Sequence, residues 1–333
     1  MILITFSGIA AIFHTYSSQR EEEAGGRYAG FMLNEMVYSI NERLLMVENV
    51  VKRYEPIVEK TLSTPDSLMA LVEEWTLSDS LVIGGSICFE PYYYSKKGEY
   101  FMPYVTTTLG NKPVSVYLGG KDYDYFKMEW YKSAKEARQG IWSEPYYDDG
   151  GGDVMMISYV LPLFNKYGNM IGVMTADMSL EELVKDVAHL RPYHDSFSFV
   201  VSRRGTFIVH PRRSVILNQT IFSYADSLDS EPMRQLGRDM LSGLAGYDRR
   251  TLRGKDMLVS YTTIPRTGWA IATFSPYSEV VNHLGMVTGY MLSVLVVGLV
   301  GLLIVLRYVI KRNTRPLEDL TKVAYKIARG DFS

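Results

Sequence analysis

The stretch Leu284–Leu306, LGMVTGYMLSVLVVGLVGLLIVL, contains 23 residues and no charged side chain. As a helix it would rise about 34 Å, enough to cross a hydrocarbon core of about 30 Å with some tilt. It is apolar on all sides, whereas a helix at the surface of a soluble protein carries a polar stripe. The basic residues Arg307, Lys311, Arg312 and Arg315 follow before the first acid. This excess of basic residues predicts a transmembrane helix at residues 284–306 with its C-terminal end in the cytoplasm.

The opposite end of the chain is also apolar. Met1–Phe13 reads MILITFSGIAAIF, and no Asp, Glu, Lys or Arg occurs before Arg20. A signal peptide is one interpretation, but the basic start and the small-residue cleavage site of such a peptide are missing. We therefore expect a first transmembrane helix at residues 1–16, trimmed at its start. The residues between the two spans would then lie outside the cytoplasm.

Composition and motifs exclude several classes of function. The formal net charge of −2 gives no reason to expect nucleic acid as a partner. The sequence has no P-loop, no Gly-x-Ser-x-Gly elbow and no metal-site spacing of His or Cys, so we predict no catalytic residue, metal or cofactor. The acidic loop at 148–153 could suit Ca²⁺, but it lacks the EF-hand register and a solvated turn is favoured. The only cysteine, Cys88, allows no disulfide within the chain, which is typical of a bacterial envelope protein.

A segment of two helices, residues 17–80, follows the first apolar run. Its first helix carries apolar residues at alternating spacings of four and three: Leu33, Val37, Ile40, Leu44, Val47, Val51 and Tyr54. This seam indicates either a helix packed on a domain core or a helix that forms a dimer interface, and the pattern does not separate the two. Pro56 is expected to end the helix. Thr64 and Pro65 begin a second helix, which runs to about Leu77.

From Leu81 onward the pattern alternates, as in strands. Residues 81–194 contain five such runs separated by turn residues: LVIGGSICFEP, GEYFMPYVTTT, PVSVYLG, VMMISYVLPLF and MIGVMTADM. A helix at Tyr125–Arg138 and another opened by a capping box at Ser179–Glu182 complete an α+β module. A smaller module at residues 195–280 has one helix near Glu231–Leu244 and these strands: SFSFVVS, TFIVH, YDRRTL, DMLVSYTTI and GWAIATFS.

The layout of the chain from about residue 15 to 282 resembles a double-Cache (dCache) receptor. The phrases that carry the resemblance are IGGSICFEPYYYSKKGEYFMPYV, EWYKSAKEARQGIWSEPYYDD, YVLPLFNKYGNMIGVMTADMSLEEL, SFVVSRRGTFIVHP and GWAIATFSP. The resemblance implies an α+β fold with a long N-terminal helix and two tandem PAS-like antiparallel-sheet modules. The module at 81–194 would be membrane-distal and the one at 195–280 membrane-proximal, between two transmembrane helices. From the seam in the first helix and from the second span we also expect a parallel homodimer, with contacts along Leu33–Tyr54 and along residues 284–306.

The inner end, RPLEDLTKVAYKIARGDFS, resembles the first helix of a HAMP relay, which we place at residues 307–333. Pro316 is expected to break the helix at the membrane exit, and Gly330–Asp331 to end the relay helix. An effector domain follows HAMP in this family. Stretches such as GSICFEP and GEYFMPYV are similar to Cache sensors that precede histidine kinases and SpoIIE-like serine phosphatases.

The resemblance also implies a ligand pocket in the distal module. Amino-acid-binding dCache receptors line it with a Trp-Tyr pair, a Tyr-x-Asp and a later Asp. The corresponding set here is Tyr123, Trp130, Tyr131, Tyr146, Asp148 and Asp177. Acids beside aromatic rings suit an ammonium group, which they bind through charge-assisted hydrogen bonds and cation–π contacts. Alternatively, Trp130 and Tyr131 belong to the core and Asp177 caps the helix that begins near Ser179.

One position departs from the family pattern. The motif has an arginine two residues before the tryptophan, which holds the carboxylate of the ligand, and Met128 occupies that position here. Lys127 is adjacent but would point elsewhere on a helix. An amine or another small metabolite is therefore as well supported by the sequence as an α-amino acid.

These observations predict the ligand-sensing half of a bacterial receptor and not an enzyme. The sensor would lie in the periplasm and the spans in the inner (plasma) membrane. A small molecule in the distal module would act through the second span and HAMP on a histidine kinase or a SpoIIE-like phosphatase. In the alternative, the same segment binds another envelope protein and has no small-molecule ligand.

Overall fold

The computed structural model describes residues 2–252 and 254–328. The chain divides into two compact units, residues 23–279 and the two terminal segments 2–22 and 280–328. Its helices are α1 (Ile2–Thr61), α2 (Leu68–Ser78), α3 (Glu129–Ala137), α4 (Leu180–His189), α5 (Ile221–Ser227), α6 (Glu231–Leu241) and α7 (Tyr277–Ala328). The predicted α+β class with a long N-terminal helix is confirmed.

Helix α1 runs through Pro56, so the prediction that this proline ends the helix is wrong. A proline removes one backbone hydrogen bond, but its own φ is helical. Val58, in the turn that follows, is fully buried in the core. Its packing holds the last turn of α1 in place, because tertiary packing outweighs local propensity in most protein helices.

The heptad seam of α1 faces the core of its own chain. The side chains from Leu33 to Tyr54 along this seam are buried, except Val37, which is half-buried at its edge. The interpretation of α1 as a helix packed on a domain core is therefore confirmed, and these side chains are not free to meet a second copy. Phe31 (60% exposed) and Tyr38 (65% exposed) lie on the solvent side of the helix instead.

The first sheet is entirely antiparallel. Its strands are β1 (Gly84–Phe89), β2 (Met102–Thr106), β3 (Val114–Leu118), β4 (Ile141–Trp142), β5 (Tyr146–Tyr147), β6 (Met155–Phe164) and β7 (Met170–Ser179). Their spatial order is β3-β2-β1-β7-β6-β4, with β5 also paired to β6. β4 and β5 were not predicted, because two residues are too few to show an alternating pattern. β7 therefore lies between β1 and β6, in the middle of the sheet.

The second sheet contains β8 (Phe197–Val201), β9 (Phe207–Val209), β10 (Gly246–Leu252), β11 (Lys255–Ile264) and β12 (Trp269–Pro276). These strands are antiparallel in the order β10-β11-β12-β8-β9. The short helix α5 was not predicted, although Thr220 and Ser223 form a capping box at its start. All five predicted strands of this module are present.

The two sheets share a hydrophobic core. One continuous cluster of buried side chains joins Leu44 of α1, Ile157 of β6 and Leu183 of α4 to Val200 of β8 and Ile271 of β12. Helices α1 and α4 thus contribute to the packing of both sheets. Residues 23–279, which contain both sheets, form one of the two compact units of the chain.

The predicted membrane spans and HAMP segment remain predictions. Across the described residues, no helix is both long enough and apolar enough to pass through a membrane. Helix α7 continues through Pro316, so the expected break there is wrong; the fixed φ of proline is helical, and a long helix can pass through it. Gly330–Asp331, predicted to end the relay helix, and Met1 lie outside the described residues.

Candidate functional site

Asp177 lies near the end of β7, between Gly84 and Ser158 on the two neighbouring strands. Its register partners are Gly84 on β1 and Ser158 on β6. A Cβ atom at Gly84 would lie only 2.7 Å from Asp177 Oδ2, so glycine there makes space for the carboxylate. On the other side, Ser158 Oγ donates a hydrogen bond of 2.6 Å to Asp177 Oδ1. The carboxylate is therefore held over the sheet and is buried.

The alternative role of Asp177 as a helix cap is wrong. Ser179 is the N-cap of α4, and its Oγ accepts a 3.2 Å hydrogen bond from Glu181 N. Glu182 pairs with Lys185 at 2.8 Å instead of closing the predicted capping box. Because Ser179 caps the helix, the Asp177 carboxylate does not take part in capping it.

Asp148 is the second buried acid of the site and follows β5. Its Oδ1 accepts a 2.6 Å hydrogen bond from the Tyr123 hydroxyl, and its Oδ2 accepts one of 2.6 Å from Gly152 N. The Tyr104 hydroxyl lies 3.5 Å from the same Oδ2. The loop after Asp148 therefore folds back on its own first residue and turns the carboxylate inward.

The pKa values of both acids are raised, and no basic residue is among the main causes that act on either pKa. Burial raises the pKa of Asp177 to about 7, against the opposing hydrogen bond from Ser158, and the negative charge of Asp148 adds to the rise. Burial also raises the pKa of Asp148, although hydrogen bonds from Tyr123, Gly152 and Tyr104 oppose the shift. The main contributions to either pKa include no Lys, Arg or His. Two buried acids without a counter-charge are suited to a ligand that brings a positive charge.

Aromatic side chains surround these acids. Tyr146 donates a 2.8 Å hydrogen bond to Ser158 Oγ, so a chain of hydrogen bonds leads from Tyr146 through Ser158 to Asp177. Trp130, on α3, packs in the same cluster of buried residues as Tyr123 and Tyr104. Its Nε1 is buried and has no hydrogen-bond partner among the described residues. A buried donor without an acceptor is costly, and a polar group of a ligand would satisfy it.

Tyr131 is committed to other contacts. Its hydroxyl donates a 2.7 Å hydrogen bond to Glu90 Oε1, which also accepts from Lys135 Nζ at 2.8 Å. Its ring packs 5.6 Å from the ring of Tyr125, and 6.0 Å from that of Trp130. The alternative of a core residue therefore describes Tyr131 well. Tyr131 packs against Trp130. In contrast, Tyr123 hydrogen bonds to Asp148, and Tyr146 is connected to Asp177 through Ser158.

Lys127, the basic residue next to Met128, does not pair with Asp148 or Asp177. Lys127 is largely exposed, and its Nζ pairs with Asp124 at 2.8 Å. Met128 is the residue before the first turn of α3. The expectation that Lys127 points elsewhere agrees with this geometry.

Sequence reasoning missed several members of the site: Gly84, Ser86, Tyr104, Ser158 and Thr175. Ser86 and Thr175 are register partners, and their hydroxyl oxygens lie 2.8 Å apart. Their closeness to the two acids depends on the register of the strand pairs, including the pairing of β1 with β7, which are far apart in the chain. A small or polar residue in an otherwise apolar strand is the signal that could have drawn attention to them.

In sequence, this chain is similar to bacterial methyl-accepting chemotaxis proteins. Residues 68–185 match the family model described as the first PDC sensor domain of methyl-accepting chemotaxis protein-like proteins. The chain is 26% identical over 242 residues to the methyl-accepting chemotaxis protein TlpB of Bacillus subtilis, a match that covers 68% of this chain and 34% of that protein. The chain thus spans about a third of the length of this relative. Over 134 residues it is 31% identical to PscA of Pseudomonas syringae, covering 40% of this chain and 19% of PscA.

Solved structures show the same fold. The extracellular domain of the putative histidine kinase mmHK1S-Z3 aligns with a TM-score of 0.64 at 20% identity, over 81% of this chain and 98% of that one. The ligand-binding domain of Mlp24 with asparagine aligns with a TM-score of 0.59 at 19% identity, over 80% of this chain and 99% of that one.

Proposed function

We propose that this chain, whose residues 68–185 match the first PDC sensor domain of methyl-accepting chemotaxis protein-like proteins, binds a small cationic ligand between Asp148 and Asp177. The ligand is an amine or an α-amino acid. Its ammonium group hydrogen bonds to Asp177, with Asp148 assisting, and the rings of Tyr123, Tyr146 and Trp130 surround the charge. The carrying observation is the pair of buried acids without a basic neighbour.

The energetics favour an ammonium over a neutral ligand. An ionised Asp177 is disfavoured in the empty site by burial and by Asp148. A cation at hydrogen-bond distance stabilises the ionised form of both acids, and its own desolvation is offset by two charges and several aromatic faces. An anion would add a third negative charge to a buried site, so we expect no binding of simple carboxylates.

Whether the ligand is an α-amino acid or an amine without a carboxylate depends on the groups that contact the end opposite its ammonium. The Mlp24 domain is described with asparagine, an α-amino acid, but its similarity to this chain lies in the fold alone. Met128 stands where the family motif has an arginine, and Lys127 is largely exposed and paired with Asp124, so neither residue offers a basic group to a ligand carboxylate. We therefore expect a decarboxylated amine to lose little affinity against its parent amino acid.

Signal output is the second part of the proposal. The sensor acts as a homodimer outside the cytoplasm, and ligand binding is relayed through the span at 284–306 to a HAMP segment. Relatives described as chemotaxis proteins, and a neighbour described as a histidine kinase, support a chemoreceptor or kinase output. A SpoIIE-like phosphatase has no counterpart among the relatives described above.

Calorimetry tests the binding site. A panel of α-amino acids, each paired with its decarboxylated amine, is first screened on the detergent-solubilised chain by thermal shift, because a ligand of the native state raises the melting temperature. The best pair is then titrated into the wild type and into Asp177→Asn, which keeps the size of the side chain. We expect affinity to fall roughly thirty-fold or more, the effect of removing one partner of a desolvated charge pair.

Asp149→Asn, at an exposed position next to Asp148, is the control and should bind like the wild type. Equal affinity in Asp177→Asn and the wild type would place the site elsewhere. A strong preference for the amino acid over its amine would reveal a carboxylate-binding group. No response to any member of the panel would favour the alternative, a module that recognises another envelope protein.

A further inference from the structure

A cavity lies in the smaller module, and neither Asp148 nor Asp177 lines it. It has a volume of about 1040 Å³ and lies between β8, β11 and helices α5 and α6. Its walls include Phe197, Phe199, His210, Tyr224, Met233 and Met257. This volume is in the range of pockets that hold small molecules.

Two polar groups on the cavity wall have no partner. His210 and Tyr224 are each 8% exposed, and both line the cavity. His210 Nδ1 accepts a 3.0 Å hydrogen bond from Arg212 N and lies 3.3 Å from Arg212 O; we assign the proton of the neutral ring to Nε2 because the contact with the amide is the shorter one. Neither His210 Nε2 nor the Tyr224 hydroxyl has a hydrogen-bond partner among the described residues. Neither atom is among the fully buried polar atoms without a partner, so solvent reaches both from the cavity, and a bound molecule can replace water as their acceptor.

The two groups lie close together on an aromatic surface. The ring centroids of His210 and Tyr224 are 5.2 Å apart, and Phe207 packs 4.9 Å from the His210 ring. Burial lowers the pKa of His210, which favours the neutral ring. A flat apolar body with one acceptor atom matches this wall.

The charges at the cavity exclude one class of ligand. Asp195, Asp229 and Glu279 contribute three acids to its lining, against the basic residue Lys255. A fourth acid, Asp256, pairs with Arg249. The excess of negative charge disfavours an anion, so the acceptor atom of the ligand is an uncharged oxygen.

We propose that this cavity is a second ligand site, which takes an uncharged aromatic molecule with a carbonyl oxygen that accepts hydrogen bonds from His210 Nε2 and the Tyr224 hydroxyl. The proposal is independent of the amine site. It rests on residues of the smaller module, and it requires an uncharged ligand instead of a cationic one.

Fluorine NMR on the whole chain in detergent tests the site with 4-fluorobenzamide as the probe and 4-fluorobenzoate as its anionic counterpart. The amide should bind in the millimolar range or tighter, and the benzoate should bind several-fold more weakly. Tyr224→Phe removes only the hydroxyl and should weaken binding of the amide about fivefold, the effect of one neutral hydrogen bond. Tyr247→Phe, a half-exposed tyrosine of β10 outside the cavity, is the matched control and should change nothing.

His210→Phe should weaken the amide as well, but it also removes the acceptor of the Arg212 amide, so Tyr224→Phe is the principal variant. Asp177→Asn separates the two sites, since it should leave binding of 4-fluorobenzamide unchanged. The proposal is overturned if the wild type does not bind the amide, if Tyr224→Phe behaves like Tyr247→Phe, or if Asp177→Asn abolishes binding.

Discussion

Arg266 Nη1 lies 2.9 Å from Glu48 Oε2, although the two residues are 218 positions apart in the chain. The same carboxylate accepts hydrogen bonds from Trp142 Nε1 at 3.0 Å and from Lys52 Nζ at 3.1 Å. Glu48 is on α1, Trp142 is on β4, and Arg266 is in the turn between β11 and β12. One buried carboxylate therefore connects the long helix to both sheets.

Glu48→Ala should destabilise the protein substantially. The change leaves Trp142 Nε1 buried without its acceptor and removes two charge-assisted hydrogen bonds, so we expect a loss of about 2–4 kcal/mol in the free energy of unfolding. Urea unfolding followed by tryptophan fluorescence measures it. Lys185→Ala breaks an exposed ion pair with Glu182 and should cost less than about 0.5 kcal/mol. Similar losses in the two variants would mean that Glu48 does not hold the two sheets together.

The pKa of Asp177 predicts a dependence of stability on pH. An unfolded Asp has a pKa near 3.8, and the folded value is about 7. The folded state thus holds the proton more tightly, so the stability contribution of Asp177 is fully present below pH 4 and is lost as the pH rises to 7 and above. Three pKa units correspond to about 4 kcal/mol.

Asp177→Asn removes this loss, because the amide stays neutral. In the absence of ligand, the variant should therefore be more stable than the wild type at pH 8, and the difference should shrink at pH 4. Thermal unfolding across this range, with the exposed Asp149→Asn as the control, gives the comparison. A variant that is less stable than the wild type at pH 8 would contradict the raised pKa.

Gly84→Ala should impair the ligand site without changing its charge. The new Cβ would lie 2.7 Å from Asp177 Oδ2 and 2.9 Å from the Tyr104 hydroxyl, so the carboxylate must move. We expect amine affinity to fall about tenfold, since charge-assisted hydrogen bonds depend on geometry. Gly110→Ala is the control, because no atom lies within 4 Å of its added Cβ. Calorimetry with the best amine measures both, and equal affinities would argue against a ligand at Asp177.

A dimer formed along α1 should use the solvent side of the helix and not its heptad seam. Single cysteines at Phe31 and Tyr38 are expected to form disulfides between copies under mild oxidation, whereas cysteines at Leu33 and Leu44 should not, because those positions are buried within one chain. The native Cys88 is buried and should not contribute to cross-linking. Non-reducing gels reveal the pattern. Cross-linking at Leu33 and Leu44 alone would require the helix to leave its core.

Relay to the second span should depend on an unbroken connection after the second sheet. β12 ends at Pro276 and α7 begins at Tyr277, so no loop residue separates them. A few glycines inserted between Pro276 and Tyr277 should abolish ligand-dependent output of a receptor in which this sensor is fused to a chemoreceptor signalling domain, while ligand affinity stays unchanged. The same insertion after Gly110, in an exposed loop, should preserve output. Normal signalling from the first insertion would rule out a rigid relay.

Particular residues show how much of the fold and of the candidate site could be predicted from the sequence. Alternation placed Asp177 on a strand, and the family pattern grouped it with Asp148. Gly84 was missed because it meets Asp177 through the pairing of β1 with β7, two strands that are far apart in the chain. Ser158 was missed because its place opposite Asp177 depends on the register of the β6–β7 hairpin, which the alternating pattern does not fix. The seam from Leu33 to Tyr54 was ambiguous for a similar reason. A heptad pattern predicts that one side of a helix is buried, but not whether that side packs against the same chain or against another.

The core that α1 and α4 share with both sheets bears on how ligand specificity can be transferred between receptors. A chimera that exchanges only residues 81–194 would replace Ile157 and Leu183 but keep Leu44, Val200 and Ile271, so old and new side chains would have to repack against one another. Cores lose stability when such contacts no longer fit. Exchange of residues 23–279 as a whole keeps every one of these contacts, and grafting the ligand preference alone calls for substitutions confined to the surroundings of Asp148 and Asp177.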